Sequence, residues 1–170
     1  MTTAYREREL AETVALACRV LGAYDMTHAA LGHVSVRLDD DTMLIKGKGP
    51  NEVGLRYTRT RDIVKADFDA NMVDGPEDLQ PPSESFIHTA IYKARPEVQS
   101  VLHVHAEYCV LLSITGKEIV HSYGGFPGSN FARTGVPLYP SSVLIQTIIF
   151  CCCACSGVIA AGLGCSFDCR

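Results

Sequence analysis

The stretch Val98-Gln99-Ser100-Val101-Leu102-His103-Val104-His105 carries the reading of this chain. It reads as a buried strand, and a period of two puts Val101, His103 and His105 on one face, with Leu102 and Val104 on the other. Two imidazoles therefore share a face. A divalent metal needs several deprotonated N or O ligands converging on one point, and this pair supplies two of them. The same pair also fits two histidines satisfied by partners at a strand end, so a third ligand is required.

Upstream, Ser83 follows Pro81-Pro82 and precedes Ile87, Ala90, Ile91 and Ala94 at helical spacing, which predicts a helix with Ser83 as its N-cap and Arg95-Pro96 as its end. Glu84 then falls in the first turn. A carboxylate is favoured there by the helix dipole, which makes Glu84 either a third ligand or a charge-favourable N-terminal residue. Leu10, Val14, Ala17 and Leu21 predict an opening amphipathic helix from Tyr5 that ends at Gly22. Val34, Val36 and Leu38 alternate with Ser35 and Arg37, and Asp39-Asp40-Asp41 turns the chain into Met43-Leu44-Ile45, a β-hairpin. Lys46-Gly47-Lys48-Gly49-Pro50 is punctuated as a basic loop, with both lysines free to hold a carboxylate or phosphate, or to be solvated. Ile63 to Phe68 predicts another strand turning at Asp69-Ala70-Asn71, and a polar loop runs from Asp74 to Pro82. Downstream come a short apolar helix from Tyr108 to Ser113, a glycine-rich loop from Ser122 to Gly128 and one more strand from Val143 to Ile145.

Composition sets the limits. At 170 residues, 47% hydrophobic and 20% charged, the chain can bury one core. A net charge of -4 with no basic stripe argues against nucleic acid. Arg6, Glu7, Arg8 and Glu9 stand where a secretory signal needs an apolar run, so the expected location is cytoplasmic. Of eight cysteines only Cys18 and Cys109 precede residue 151, which argues against a disulfide framework.

Gly32-His33-Val34-Ser35, Pro82-Ser83-Glu84-Ser85, His88-Thr89, Tyr92 with Arg95-Pro96, and Val101 to His105 together resemble the class II aldolase/adducin family in order and spacing. The resemblance spans about residues 5 to 147 and implies an α/β fold of three α/β/α layers around a central, mostly antiparallel sheet. It implies a divalent metal, zinc first with manganese or cobalt as alternatives, on Glu84, His103 and His105, and Glu84 as acid/base. It also implies a small-molecule substrate at a site between subunits of a homo-oligomer, a tetramer by resemblance. Tyr123 matches a catalytic tyrosine of the family, and His33, Lys46, Lys48 and Ser83 are the candidates for substrate binding. His33 also reads as a strand-end residue bonded to a carbonyl. The implied activity is carbon–carbon lysis, by aldol cleavage or decarboxylation, in which the ion stabilises charge developing on an enediolate oxygen. Ile45 to Tyr57 and Gly135 to Pro140 are more similar to the hydroxyaromatic-acid decarboxylase branch than to the sugar-phosphate branch. The alternative is an adducin-like assembly protein without turnover.

The chain departs from the family pattern where a third histidine follows the pair, since no His occurs after His121. A cysteine could replace it, and nothing in the cysteine spacing selects one. Residues 1–147 read as the family domain and 148–170 as an atypical cysteine-rich apolar tail. Val143 to Leu163 is long enough for a membrane helix, but Gln146 and Thr147 interrupt it and no basic flank frames it, so no membrane association is expected.

Overall fold

The computed structural model describes residues 3–115, in two units divided between Ala106 and Glu107. The first unit begins with α1 (Thr3–Ala23), then β1 (His33–Arg37) and β2 (Thr42–Lys46), two single 3-10 turns (Leu55–Tyr57 and Thr60–Asp62), β3 (Ile63–Asp67) and β4 (Met72–Asp74). It closes with α2 (Ser85–Ala94) and β5 (Ser100–His103). The second unit contributes α3 (Glu107–Thr115) to the described residues.

The fold is α/β. Five strands form one sheet in the order β4-β3-β2-β1-β5, and every pairing is antiparallel. The two hairpins are set by aspartates. Asp39 Oδ1 accepts the backbone N–H groups of Asp41 and Thr42 between β1 and β2. Asp67 Oδ1 does the same for Asp69 and Asn71, and Ala70 takes a left-handed backbone at φ 64°. The register of β3 against β4 shifts at Lys65/Ala66. The short strand β4 is a surface element the sequence did not announce, because three exposed residues carry no alternation to read.

The two faces of β1 meet different helices. Val34 is buried with Val14, Ala15 and Cys18 of α1 and with Leu44, Leu55 and Ile63, while Val36 packs at the margin of that cluster. His33, Ser35 and Arg37 point the other way, where they bond to residues of α2 and its C-terminal turn. The polar half of the alternating hairpin is therefore buried: Ser35 is 0% exposed and Arg37 9%. Buried polar groups persist only when partnered, and α2 supplies the partners. Arg37 Nη2 donates to the carbonyls of Tyr92 and Arg95 at 2.7 and 3.3 Å, its Nε donates to that of Val98 at 3.0 Å, and the guanidinium lies over the Phe68 and Tyr92 rings.

The entry to α2 corrects one expectation. Ser83 is exposed and lies before the N-cap, which is Glu84, and the helix begins at Ser85. The chain folds into a turn first: the Ser85 backbone N–H and hydroxyl both donate to the Pro82 carbonyl, at 2.9 and 2.6 Å. That turn moves the N-cap and the helix start one residue on and leaves Ser83 on its outside.

Candidate metal centre

The site is assembled where β1 and β5 run side by side and α2 begins. His33 and His103 are directly opposed in the β1–β5 register. Gly32 makes this approach possible. Its φ is +82°, and a side chain there would meet the Thr27 methyl at 2.6 Å and the His103 carbonyl oxygen at 2.9 Å. His105 lies just past β5, and its backbone N–H donates to the Met26 carbonyl at 3.0 Å.

Glu84, His33 and His103 each bring a ligand atom to within 4.8 Å of the other two. His33 Nε2 is 3.3 Å from Glu84 Oε2, and His103 Nδ1 is 3.9 Å from the same oxygen. The His105 ring stacks on His103 with centroids 4.8 Å apart. Two ring nitrogens, His103 Nδ1 and His105 Nε2, are buried with no hydrogen-bond partner. A buried polar atom without a partner is costly unless something else satisfies it, and imidazole nitrogens beside a carboxylate are the donor set that zinc and similar ions take. Ligand atoms around a tetrahedral zinc are about 3.3 Å apart at ordinary bond lengths, so the 3.9 Å between His103 Nδ1 and Glu84 Oε2 needs only a small adjustment. The residues fit a divalent ion.

Electrostatics agree with that chemistry. The hydrogen bond from His33 holds the Glu84 carboxyl below its ordinary range against a raising effect of burial. Glu84 is therefore a carboxylate at neutral pH. Burial, reinforced by His33, lowers His103 to about 4, so its ring is neutral and keeps a lone pair to offer. His88, fully buried behind His33, is pushed well below the ordinary histidine range by burial and by His33 and His103.

The candidates chosen from sequence are not all brought together. Glu84, His33 and His103 converge, and the His105 ring stacks on His103 at their edge. Lys46 does not join them: β2 alternates, so Lys46 shares the α1 side with Leu44, and its ammonium is 3% exposed and held by Glu52 Oε1 at 2.5 Å. It is not a free loop lysine. Lys48 is exposed and its backbone pairs with Gln80. Tyr123, the glycine-rich loop, the Val143–Ile145 strand and the cysteine-rich tail lie outside the described residues. Sequence reading passed over His88 and Tyr92 as site residues, although Glu84, His88 and Tyr92 recur every four residues and so share one helix face.

The model of the class II aldolase and adducin N-terminal domain matches residues 12–155. The chain belongs to the class II aldolase and adducin family. A 3,4-dihydroxyphthalate decarboxylase of Terrabacter sp. (strain DBF63) is 39% identical over 145 residues, covering 82% of this chain and 59% of the relative. A methylthioribulose-1-phosphate dehydratase of Pectobacterium atrosepticum is 32% identical over 120 residues, covering 69% of this chain and 56% of the relative. Among solved structures, the L-fuculose 1-phosphate aldolase from Glaciozyma antarctica PI12 superposes with a TM-score of 0.60 at 26% identity, over 68% of this chain and 47% of that one. This member of the family thus spans little more than half the length of the curated relatives it matches. Among its described residues no helix is long and apolar enough to cross a membrane.

Proposed function

We propose that this chain carries the site of a divalent-metal-dependent carbon–carbon lyase acting on a hydroxy-carbonyl compound or a hydroxylated aromatic acid, by aldol cleavage or decarboxylation. The observation that carries the reading is the pair of buried, unpartnered ring nitrogens on His103 and His105 beside the Glu84 carboxylate. In this reading Glu84, His103 and His105 hold the ion, zinc first and manganese or cobalt as alternatives. The ion would supply Lewis-acid stabilisation of negative charge on a substrate oxygen. Glu84 would move the proton: resting as a carboxylate, it takes a proton from the substrate hydroxyl in aldol cleavage, or from water in decarboxylation, and returns it to the substrate carbon that keeps the electron pair of the broken carbon–carbon bond. His33 donates to Glu84 and stands as a candidate for substrate binding beside it. Lys48 and Ser83, both exposed, stand as candidate substrate binders, and Tyr123 as a second catalytic group.

The decarboxylase branch is favoured over the sugar-phosphate branch by the 39% identity to a dihydroxyphthalate decarboxylase. We further read the described helices and sheet as part of a three-layer α/β/α domain over residues 1–147, a cytoplasmic homo-oligomer with a small-molecule substrate; the family match itself runs past Thr147 to residue 155. An adducin-like assembly role without turnover is the competing reading, and retention of Glu84, His103 and His105 together argues against it.

The test uses the full chain loaded in turn with zinc, manganese and cobalt, assayed for retro-aldol cleavage and for release of carbon dioxide from hydroxylated aromatic acids. Glu84→Gln should lower turnover by roughly 10²-fold or more, because the amide keeps the shape but cannot carry the proton. Turnover that survives the substitution intact removes Glu84 from the mechanism. A loaded chain silent on both substrate classes removes the lyase reading.

A further inference from the structure

Behind the cluster, hydrogen bonds run inward in a single row. Glu84 Oε2 lies 3.3 Å from His33 Nε2, His33 Nδ1 lies 2.8 Å from His88 Nε2, His88 Nδ1 lies 2.7 Å from Ser35 Oγ, and Ser35 Oγ lies 2.7 Å from the Tyr92 hydroxyl. Ser35 and His88 are 0% exposed and Tyr92 1%. The row joins two elements by their periodicity, with His33 and Ser35 on one face of β1 and Glu84, His88 and Tyr92 on one face of α2.

Such a row has a direction. A neutral imidazole has one N–H and one acceptor nitrogen, and a carboxylate only accepts. The proton between His33 and Glu84 must therefore sit on His33 Nε2, which leaves His33 Nδ1 as an acceptor. His88 Nε2 then carries the proton it donates to His33, its Nδ1 accepts from the Ser35 hydroxyl, and Ser35 accepts from Tyr92. At the far end the Tyr92 hydroxyl then donates to Ser35, a direction that the 2.7 Å contact allows. The reverse order would set two lone pairs against each other between His33 and Glu84.

We propose that His88 is a positioning residue, backed by Ser35 and Tyr92, that locks His33 as the Nε2–H tautomer, a fixed donor that orients the Glu84 carboxylate. The lock has a consequence for the metal. A protonated Nε2 has no lone pair to give, so His33 stays a donor, and the ion falls to Glu84, His103 and His105 although His33 lies within the same cluster. The value of orienting Glu84 rests on the lyase reading above. The tautomer does not, and it can be measured without turnover.

The experiment is long-range ¹H–¹⁵N correlation of the ring nitrogens in uniformly ¹⁵N-labelled full chain at pH 8, with His33 and His88 assigned from His33→Asn and His88→Gln. The expected spectrum has Nε2 protonated and Nδ1 bare on both rings. Protonation of His33 at Nδ1, alone or together with Nε2, overturns the proposal. Addition of zinc should then move the His103 and His105 nitrogens and leave His33 Nε2 protonated, and loss of that proton overturns the assignment of ligands. In His88→Gln the side-chain amide can still donate to His33 and should keep the single tautomer, whereas in His88→Leu only Glu84 still holds the proton on Nε2, and a minor population protonated at Nδ1 should appear. Identical His33 spectra in the Leu variant and the wild type would show that His88 sets nothing. If His88→Leu does not fold, the wild-type and zinc spectra still decide. Absence of turnover alone would count against the lyase and not against the lock.

Discussion

At the scale of single residues, the unpartnered nitrogens of His103 and His105 make a direct demand. His103→Ala or His105→Ala should weaken zinc binding by at least about tenfold while the chain stays folded, since each removes a proposed ligand and neither fills the apolar core. Titration calorimetry with zinc, beside circular dichroism, checks this. Unchanged affinity in both variants would make the pair structural. The sequence made these two residues visible because a period of two needs no tertiary information. Lys46 was less visible. Its parity with Leu44 was there to read, but only the position of α1 says which face Leu44 occupies, and Glu52 reaches it from a loop whose path no local pattern specifies. His88 was hidden for a different reason: a histidine four residues after Glu84 on an otherwise apolar helix reads as core, and its partners come from β1, more than fifty residues earlier.

Among elements, the junction between β1 and the end of α2 depends on one side chain. Arg37 joins three carbonyls of the α2 C-terminus and the turn after it, and covers two aromatic rings. Arg37→Lys keeps the charge and loses the planar fork, so buried carbonyls are left short of donors. Urea unfolding should show a loss of about 1–3 kcal/mol. Arg8→Ala, which removes the exposed Arg8–Glu12 pair of α1, should change stability by less than about 0.5 kcal/mol. Equal effects of the two would mean that the Arg37 contacts are incidental. The hairpin itself was legible from Val34, Val36 and the aspartate turn. Burial of its polar half was not, because alternation describes a strand with one wet face equally well, and only α2 closes that face.

For the molecule as a whole, the two free cysteines of the described residues divide by burial. Burial raises the Cys18 thiol from 9.0 to about 11, whereas Cys109 is exposed on α3. Brief alkylation at pH 8 followed by peptide mapping should label Cys109 and spare Cys18 until denaturant is added. The same shift has a sign for stability. Between pH 9.0 and about 11 the unfolded chain loses this proton and the folded chain keeps it, so folding weakens as pH rises through that window, by about 2–3 kcal/mol. Cys18→Ala should flatten this part of the profile, and an unaltered slope would place the loss elsewhere. The sheet that Cys18 packs against also carries two unlike kinds of freedom. Apart from the buried Lys46–Glu52 pair, its α1 side is aliphatic, so single changes of similar volume there are absorbed one at a time. Its α2 side is a directed row in which every proton has one destination, and a change at Ser35, His88 or Tyr92 alters what its neighbours must donate or accept. Across descendants of this chain the first face should drift position by position, and the second should stay still or change several residues together.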